Sequence, residues 1–272
     1  MLDYKPELRE IASTIQRPDP TKRKKQYTIN DQWYARCTKI LEEGVPKPWQ
    51  PSWLQNTNRD AVYSELMKHT TADNMIEFDA DSVIDITHAV QAYPKTTKAI
   101  DWGVEAHNVL QQAIEARLDG ELMWDAGDFN HVLHAFTDFE KEKDIEWLAT
   151  EMVVWAANPR IAGSVDAIAR GKVGDEEGLI VIDWKTVNLK TYTKWEAKYE
   201  THAMQVGMYS HMVEHCVDEG VIAGYVVYFP QEPPPEDVPL FRVRKVQDLG
   251  KMYQKYLSAY DISQVMSGAL WE

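Results

Sequence analysis

Cysteine is scarce in this chain of 272 residues, which contains only Cys37 and Cys216. Two cysteines form at most one disulfide bond, and we expect both to be reduced in an intracellular chain. They also cannot supply an all-cysteine zinc site or hold an iron–sulfur cluster by themselves. The scarcity of cysteine therefore argues against a disulfide-stapled fold and against a cysteine-based metal centre.

Long hydrophobic runs are also missing, although 44% of the residues are hydrophobic. No run approaches the roughly 20 apolar residues that a membrane span needs. The first ten residues carry several charges and lack the apolar core of a secretory signal. We therefore expect a cytoplasmic protein with a sizeable core and no membrane partner.

Net positive charge is lacking, since the formal net charge is −14. This balance argues against a protein that simply coats DNA, but it does not exclude an enzyme acting on DNA, because an empty metal site is itself acidic. Basic residues nevertheless cluster in three places, and the simplest interpretation of each is a solvated surface. The clusters are Lys22 to Lys25, then Lys190 with Lys194 and Lys198 at helical spacing, and finally Arg242 with Arg244 and Lys245.

The chain has no internal repeat, and its character changes near residue 150. Residues 1–30 are polar and interrupted by prolines, which predicts a mobile arm with at most a short helix at 6–16. Residues 31–272 are predicted to form a single domain, mainly helical over 31–145 and an α/β core over 146–272. Helices are predicted at 31–43, 57–69, 81–92, 95–119, 128–143, 192–218 and 246–260, and extended segments at 151–156, 160–170, 179–186, 221–229 and 240–245.

Asp183 and Lys185 lie two residues apart on the apolar segment 179–186, so both side chains leave the same face of the predicted strand. A buried carboxylate and ammonium are costly unless they are paired or bound to a ligand. Asp166 lies on the preceding predicted strand and can face Asp183 if the two strands pair. Two such carboxylates repel each other until a divalent cation binds, and oxygen ligands suit Mg²⁺ or Mn²⁺. A plain buried Asp–Lys ion pair is the alternative for this pair taken alone.

Two further groups of residues converge on the same interpretation. His107 lies on the apolar face of the helix predicted at 95–119, where neutral imidazole is able to ligate a metal. Gln205 and Tyr209 share a face of the following helix and offer polar groups for a phosphate or a base. Taken alone, a core histidine and a half-buried tyrosine are the commoner outcomes.

The order of these residues resembles the RecB-type branch of the PD-(D/E)XK nucleases, which includes phage and CRISPR-adaptation exonucleases. The matching residues span about 103–209 and comprise Gly103-x-x-x-His107, Glu151, Gly163-x-x-Asp166, Asp183-Trp184-Lys185 and Gln205-x-x-x-Tyr209. The resemblance implies a restriction-endonuclease-like α/β core, with a mixed sheet and an N-terminal helical layer. It also implies a Mg²⁺- or Mn²⁺-dependent deoxyribonuclease, an exonuclease by preference, in recombination, repair or replication. The iron–sulfur relatives need four cysteines, so we expect no cluster here.

The resemblance also implies roles for individual residues. His107, Asp166, Asp183 and the backbone carbonyl of Trp184 would bind the metal, and Lys185 would position or activate the attacking water. The remaining implied site residues are Glu151 as the acidic residue before the hairpin, and Gln205 and Tyr209 in contact with DNA or with the frame of the site. We add Lys190 and Lys194 as expected DNA contacts.

Two alternatives stay open at this point. The first is a nuclease-like DNA-binding or assembly subunit without turnover, which the complete set of Asp166, Asp183 and Lys185 disfavours. The second is another hydrolase with paired carboxylates, such as a glycosidase, which gives no reason for a lysine two residues from one of them. The sequence leaves open the oligomeric state and any partner protein of recombination or replication.

Overall fold

A computed structural model describes residues 2–19, 26–45, 62–63, 67–68, 94–123, 125–195 and 200–266. The chain divides into two compact units, Met1–Val45 with Glu105–Glu272, and Pro46–Val104. All candidate site residues named above belong to the first of these units. The boundaries that the sequence predicts for an arm at 1–30 and a single domain at 31–272 stay predictions.

The secondary structure of the described residues alternates between helices and strands in the second half of the chain. The helices are α1 Arg9–Ser13, α2 Cys37–Gly44, α3 Pro94–Leu118, α4 Asn130–Lys143, α5 Leu189–Lys194, α6 Glu200–Cys216 and α7 Leu249–Met266, with short 3₁₀ turns at Pro6–Leu8 and Gly127–Phe129. The strands are β1 Tyr27–Ile29, β2 Gln32–Arg36, β3 Glu146–Ala157, β4 Arg160–Val173, β5 Glu176–Val187, β6 Val221–Pro230 and β7 Arg242–Lys245. Among these helices, none is long and apolar enough to cross a bilayer.

The strands named above form one mixed sheet in the order β1-β2-β4-β5-β6-β7, with β3 paired to β4. Antiparallel hairpins join β3 to β4 and β4 to β5, whereas β5 and β6 run parallel and are connected through α5 and α6. The predicted α/β fold with a mixed sheet is therefore confirmed.

The central strand β5 is covered on both faces, which explains its continuous apolar sequence. Leu179–Ile182 are almost completely buried. On one face, Trp184 packs edge-on against Phe139 of α4, with ring centroids 5.7 Å apart. On the other face α6 lies close to the sheet, because a Cβ placed on Gly224 would come within 2.3 Å of Val206. A helix layer on each side of β5 thus excludes water from the strand that carries Asp183.

The prediction of a helix at 31–43 is wrong for its first residues, because Gln32–Arg36 form β2 and the helix begins at Cys37. Asn30 and Asp31 both have positive φ, of 49° and 59°, and make the two-residue turn between β1 and β2. Asn and Asp favour both helix N-caps and left-handed turns, so the dipeptide is ambiguous in sequence. Tyr27–Ile29, inside the segment predicted to be a mobile arm, form β1, and Ile29 is fully buried.

Two other predicted segments differ from the structure or lie outside it. The helix predicted at 192–218 is two helices, α5 and α6, because Trp195 adopts a left-handed conformation with φ of 49° and ends α5. The predicted helix at 81–92 lies outside the described residues. Within 57–69 only residues 62–63 and 67–68 are described, and they are helical.

Candidate active site

The register of the β4–β5 hairpin places Asp166 and Asp183 at equivalent positions. The antiparallel ladder ends at the pair Ala167–Ile182, and these two aspartates follow directly beyond it on each strand. The backbone N–H of Trp184 donates a hydrogen bond of 2.8 Å to Oδ2 of Asp166. The hairpin thus fixes the two carboxylate-bearing positions relative to each other.

Asp183 and Lys185 form an ion pair on one face of β5. Lys185 Nζ lies 2.6 Å from Asp183 Oδ2, and the Asp183 side chain is only 1% exposed whereas that of Lys185 is 22% exposed. Within the part of the chain that the structure describes, the Asp183 carboxylate has no hydrogen-bond partner other than the Lys185 ammonium. Apart from Lys185, this carboxylate therefore has capacity left for a further cationic ligand.

Glu151 reaches the site from β3, in which its neighbours Thr150 and Met152 pair with Ala167 and Val165. This register places Glu151 opposite Asp166. Its backbone has a positive φ of 49°, an uncommon conformation for a residue inside a strand. Its carbonyl oxygen accepts a hydrogen bond of 2.6 Å from the guanidinium of Arg17, which holds the unusual backbone in place.

His107, Glu151 and Asp166 form a group that is able to hold a metal ion. Each offers a ligand atom, and these atoms lie within 4.8 Å of one another. His107 Nδ1 is 3.9 Å from Asp166 Oδ2, and a hydrogen bond links His107 to the backbone of Trp184. The group does not include Asp183, which is turned to Lys185.

The chemistry of this donor set fits a divalent cation. Two carboxylates and a neutral imidazole supply hard and borderline ligands. The buried carboxylate of Asp183, which only Lys185 contacts among the described polar groups, lies on the strand next to Asp166. Compared with the ligands implied by the resemblance, the structure brings Glu151 into the group and keeps Asp183 beside it.

Burial dominates the acid–base properties of the two aspartates. It raises the pKa of Asp166 to about 6, although the charge of Lys185 lowers it and that of Glu151 raises it. Burial likewise raises the pKa of Asp183 to about 6, against the lowering effect of Lys185. Both carboxylates are therefore ionised at neutral pH but at an energetic cost, which a bound cation would offset.

The pKa values of the two basic residues of the site, His107 and Lys185, are shifted in opposite directions. Burial and the charge of Lys185 lower the pKa of His107, so its imidazole is neutral at pH 7 and free to act as a ligand. For Lys185, burial lowers the pKa, but the combined attraction of Asp183 and Asp166 outweighs it and the net shift is upward. The attraction of the two carboxylates therefore dominates the pKa of Lys185.

Gln205 and Tyr209 lie on α6, which packs on the same sheet face as Asp183, and both side chains are buried. The Gln205 side-chain amide lies 3.4 Å from the Tyr209 hydroxyl, within hydrogen-bonding reach. The Tyr209 ring packs on Gly163 so closely that a Cβ there would approach its Cε1 to 2.6 Å. Of the two roles implied by the resemblance, this placement supports framing of the site rather than contact with DNA.

The predicted DNA-contacting lysines are on the surface. Lys190 and Lys194 lie on α5, which starts two residues after β5, and both are exposed. Lys198 lies outside the described residues. Lys190 and Lys194 are four residues apart within α5 and therefore share a face of this helix.

Sequence reasoning missed two residues beside the site. Arg17 contacts both the carbonyl and the carboxylate of Glu151 from 134 positions away, and no local pattern signals such a contact. His202 lies 3.1 Å from the Tyr228 hydroxyl, and burial, aided by the charge of Lys185, lowers its pKa to about 3. His202 precedes Gln205 by three positions and Tyr209 by seven on one helix, so helical periodicity could have revealed it.

A sequence profile of the PD-(D/E)XK nuclease superfamily matches residues 83–266, a range that contains every residue of the metal-ligating group and the Asp183–Lys185 pair. The chain belongs to the PD-(D/E)XK nuclease superfamily. Members of this superfamily are generally nucleases that use divalent metals, so membership suggests a nuclease and implies DNA as the substrate class.

The other two comparisons add little. A comparison with curated proteins finds no match. Among solved structures, the crystal structure of the protein SSO0001 is similar, with 15% sequence identity over 76% of this chain and 85% of that chain. Its TM-score is 0.30, and a likeness at this level carries no argument about this chain.

Proposed function

We propose that this protein is a Mg²⁺- or Mn²⁺-dependent deoxyribonuclease of the RecB-type branch that hydrolyses phosphodiester bonds as an exonuclease. The observation that carries the proposal is the group of His107, Glu151 and Asp166, with ligand atoms within 4.8 Å of one another, beside the buried Asp183–Lys185 pair. Carboxylates, an imidazole and a lysine gathered around the central strands of a sheet are the parts that metal-assisted phosphodiester hydrolysis requires.

In this proposal, His107, Asp166 and Asp183 would hold the cation together with the Trp184 carbonyl, and Glu151 would supply a further carboxylate. A bound divalent cation lowers the pKa of a water molecule and stabilises charge on the phosphoryl oxygen. The N–H of Trp184 keeps the Asp166 carboxylate oriented, because it donates to Oδ2 of that side chain. The neutral state of His107 leaves a ring nitrogen available as a ligand.

Lys185 stands beside the position of the attacking water in this mechanism. The carboxylates raise its pKa, so the side chain keeps its proton in the metal-free protein. This state favours a fixed positive charge that orients the water and the scissile phosphate. Lys185 would take part in proton transfer only if the attraction of those carboxylates were offset, which is an effect that a bound cation would supply.

The proposal extends to the surroundings of the site. Lys190 and Lys194 are exposed on the helix that follows β5, and their charge suits contact with the DNA backbone. Gln205 and Tyr209 support β4 and β5 from α6, on the sheet face of Asp183. A cytoplasmic role in recombination, repair or replication, in a bacterium or a phage-infected cell, completes the proposal.

The test is incubation of the purified protein with end-labelled linear DNA and with closed-circular DNA, in Mg²⁺, in Mn²⁺ and in EDTA. Metal-dependent degradation of linear DNA alone is the expected result and identifies an exonuclease. Cleavage of the circle would replace the exonuclease assignment with an endonuclease. Absence of cleavage of DNA and RNA in both metals would overturn the proposal and leave a binding or assembly subunit with a nuclease fold.

A further inference from the structure

Two arginines of the short strand β7 lie on the sheet face that carries the candidate active site. In the sheet, Lys185 pairs with Tyr228, which in turn pairs with Arg242. Asp183 pairs with Val226, which in turn pairs with Arg244. Directly paired residues project from the same face, so two rows of side chains run from β5 across β6 to β7.

These rows set the distance between the arginines and the candidate site. Neighbouring strands lie about 4.8 Å apart, so β7 is roughly 10 Å from the strand of Asp183 and Lys185. This separation is short enough for one extended nucleic-acid strand to contact both. The arginines are consequently in position to bind a part of the substrate next to the reacting phosphate.

Trp195 positions the two guanidinium groups. Their central carbons lie 4.8 Å and 4.9 Å from the centroid of the Trp195 ring for Arg242 and Arg244 respectively. The Tyr228 ring packs edge-on against Trp195 with a centroid distance of 5.4 Å, which fixes the indole above β6. Cation–π contacts of this kind hold arginine side chains in place and leave their N–H groups available for planar anions.

The backbone of Trp195 is itself unusual. It has a positive φ of 49° at the end of α5, where its N–H donates to the Tyr192 carbonyl. A bulky residue in the left-handed region is strained, and the surrounding structure has to maintain it. The strained turn is what brings the indole over the arginines.

Within the part of the chain that the structure describes, no carboxylate balances the charge of the two arginines. Among the described residues, neither Arg242 nor Arg244 forms an ion pair with a carboxylate, and the Nε atom of each is buried without a hydrogen-bond partner. Arg242 does lie near the Tyr192 hydroxyl and its ring. In a chain with 43 acidic and 29 basic residues, two adjacent arginines that no described carboxylate pairs with point to an anion from outside.

We propose that Trp195, Arg242 and Arg244 form a subsite for backbone phosphates of the nucleic-acid strand, adjacent to the site of hydrolysis. Arginine binds phosphate oxygens through paired N–H donors, and the indole keeps the two guanidinium groups apart and oriented. The proposal rests on the proposed function, because it takes a nucleic acid as the substrate. Lys190 and Lys194 on α5 extend the same positive region towards solvent.

Binding in EDTA tests this subsite independently of catalysis. The probes are a fluorescein-labelled oligothymidylate of about 20 nucleotides and a duplex of the same length, followed by fluorescence anisotropy over a range of salt concentrations. For Arg242→Gln/Arg244→Gln, we expect affinity to fall roughly tenfold or more. The slope of log K against log salt should also become shallower by about 1.4 for the single strand, or about 1.8 for the duplex, as expected for two lost phosphate contacts.

Control variants separate this effect from net charge and from misfolding. Arg9→Gln/Lys172→Gln removes the same charge at exposed positions and should leave affinity and slope unchanged. Trp195→Ala should weaken binding although it removes no charge, and Trp195→Phe should largely restore it. If the double arginine variant does not fold, the single variants Arg242→Gln and Arg244→Gln take its place, each with about half the change in slope.

The outcomes distinguish this inference from the proposed function. If the wild type cleaves DNA, the arginine variant should show a raised KM with kcat unchanged within about twofold. If the wild type binds nucleic acid but never cleaves it, and the arginine variant loses this binding, the subsite is supported and only the nuclease proposal is refuted. Unchanged affinity, slope and KM in the arginine variants would overturn the subsite while leaving the nuclease proposal intact. A wild type that neither binds nor cleaves nucleic acid would overturn both.

Discussion

Asp183 and Lys185 project from the same face of β5, and the lysine Nζ lies 2.6 Å from Oδ2 of an aspartate that is only 1% exposed. Burial raises the pKa of this aspartate to about 6 in spite of its cationic neighbour. The Asp183 carboxylate is therefore held in a place where its negative charge is costly. Such an arrangement is typical of a site that is completed by a further cation.

Replacing the lysine tests its catalytic role. Lys185→Ala should lower the cleavage rate by about 100-fold or more, because no other described cation lies within ion-pair distance of Asp183. Circular dichroism and metal-dependent thermal shifts should show that the fold and metal binding persist. Lys172→Ala, at an exposed position of the hairpin, is the matched control and should remain fully active. Full activity in Lys185→Ala would refute the mechanism.

The raised pKa of Asp183 predicts how stability depends on pH in the metal-free protein. Its folded-state pKa of about 6 exceeds the ordinary value of about 4, so the native state binds more protons between these pH values. This contribution to the free energy of unfolding is fully present below about pH 4 and is lost as the pH rises through 6. Asp166 behaves in the same way, since its pKa is also raised to about 6.

Asp183→Asn should consequently unfold at a higher temperature than the wild type at pH 7.5 in EDTA, because the amide removes a buried charge. The advantage should shrink as the pH falls towards 4, where the wild-type carboxyl is protonated. Thermal unfolding in EDTA at several pH values measures both trends. A variant that is less stable than the wild type at pH 7.5 would show that the pairing with Lys185 outweighs the cost of burial.

Much of the arrangement of Asp166, Asp183 and Lys185 can be predicted from the sequence, because it depends on patterns between residues that are close along the chain. The apolar run of β5, the hairpin turn and the two-residue spacing of Asp183 and Lys185 follow from alternation and turn chemistry. The register that aligns Asp166 with Asp183 follows from the same hairpin. The sequence therefore predicts Asp166, Asp183 and Lys185 as neighbours.

Other features depend on contacts between distant parts of the chain. Arg17 reaches Glu151 across 134 positions, and its role cannot be read from any local pattern. The sequence predicts a helix from residue 31, whereas Asn30 and Asp31 form a turn. The two outcomes are hard to separate, because Asn and Asp serve both in helix caps and in left-handed turns. The buried positions of Gln205 and Tyr209 depend on how α6 packs against β4, which helical spacing alone leaves open.

Glu151 provides a test of the composition of the metal site. Mn²⁺ should raise the unfolding temperature of the wild type, since a ligand present at about 100 times its Kd adds about 2.7 kcal/mol to the stability of the native state. Glu151→Gln should lose most of this shift, because its carboxylate lies within 4.8 Å of the ligand atoms of His107 and Asp166. Glu146→Gln, at an exposed position on the same strand, should keep the shift. An unchanged shift in Glu151→Gln would remove this residue from the metal site.

Gly163 tests whether the packing of Tyr209 shapes the site. Gly163→Ala should destabilise the protein by about 1–3 kcal/mol, because the new Cβ would lie 2.6 Å from Tyr209 Cε1 in a buried region. Gly220→Ala is the control, since its Cβ would meet no atom within 4 Å. Chemical denaturation of both variants measures the difference. Equal stability of the two variants would show that α6 shifts away at little cost.

The most direct test of the account compares the Mg²⁺-dependent cleavage of end-labelled linear DNA by the wild type, Asp166→Asn and Asp175→Asn. Asp166 lies in the metal-ligating group and accepts the Trp184 N–H, whereas Asp175 is exposed in the hairpin turn. The account predicts cleavage by the wild type and by Asp175→Asn, and a loss of about 100-fold or more in Asp166→Asn with its fold retained. Undiminished cleavage by Asp166→Asn would contradict it.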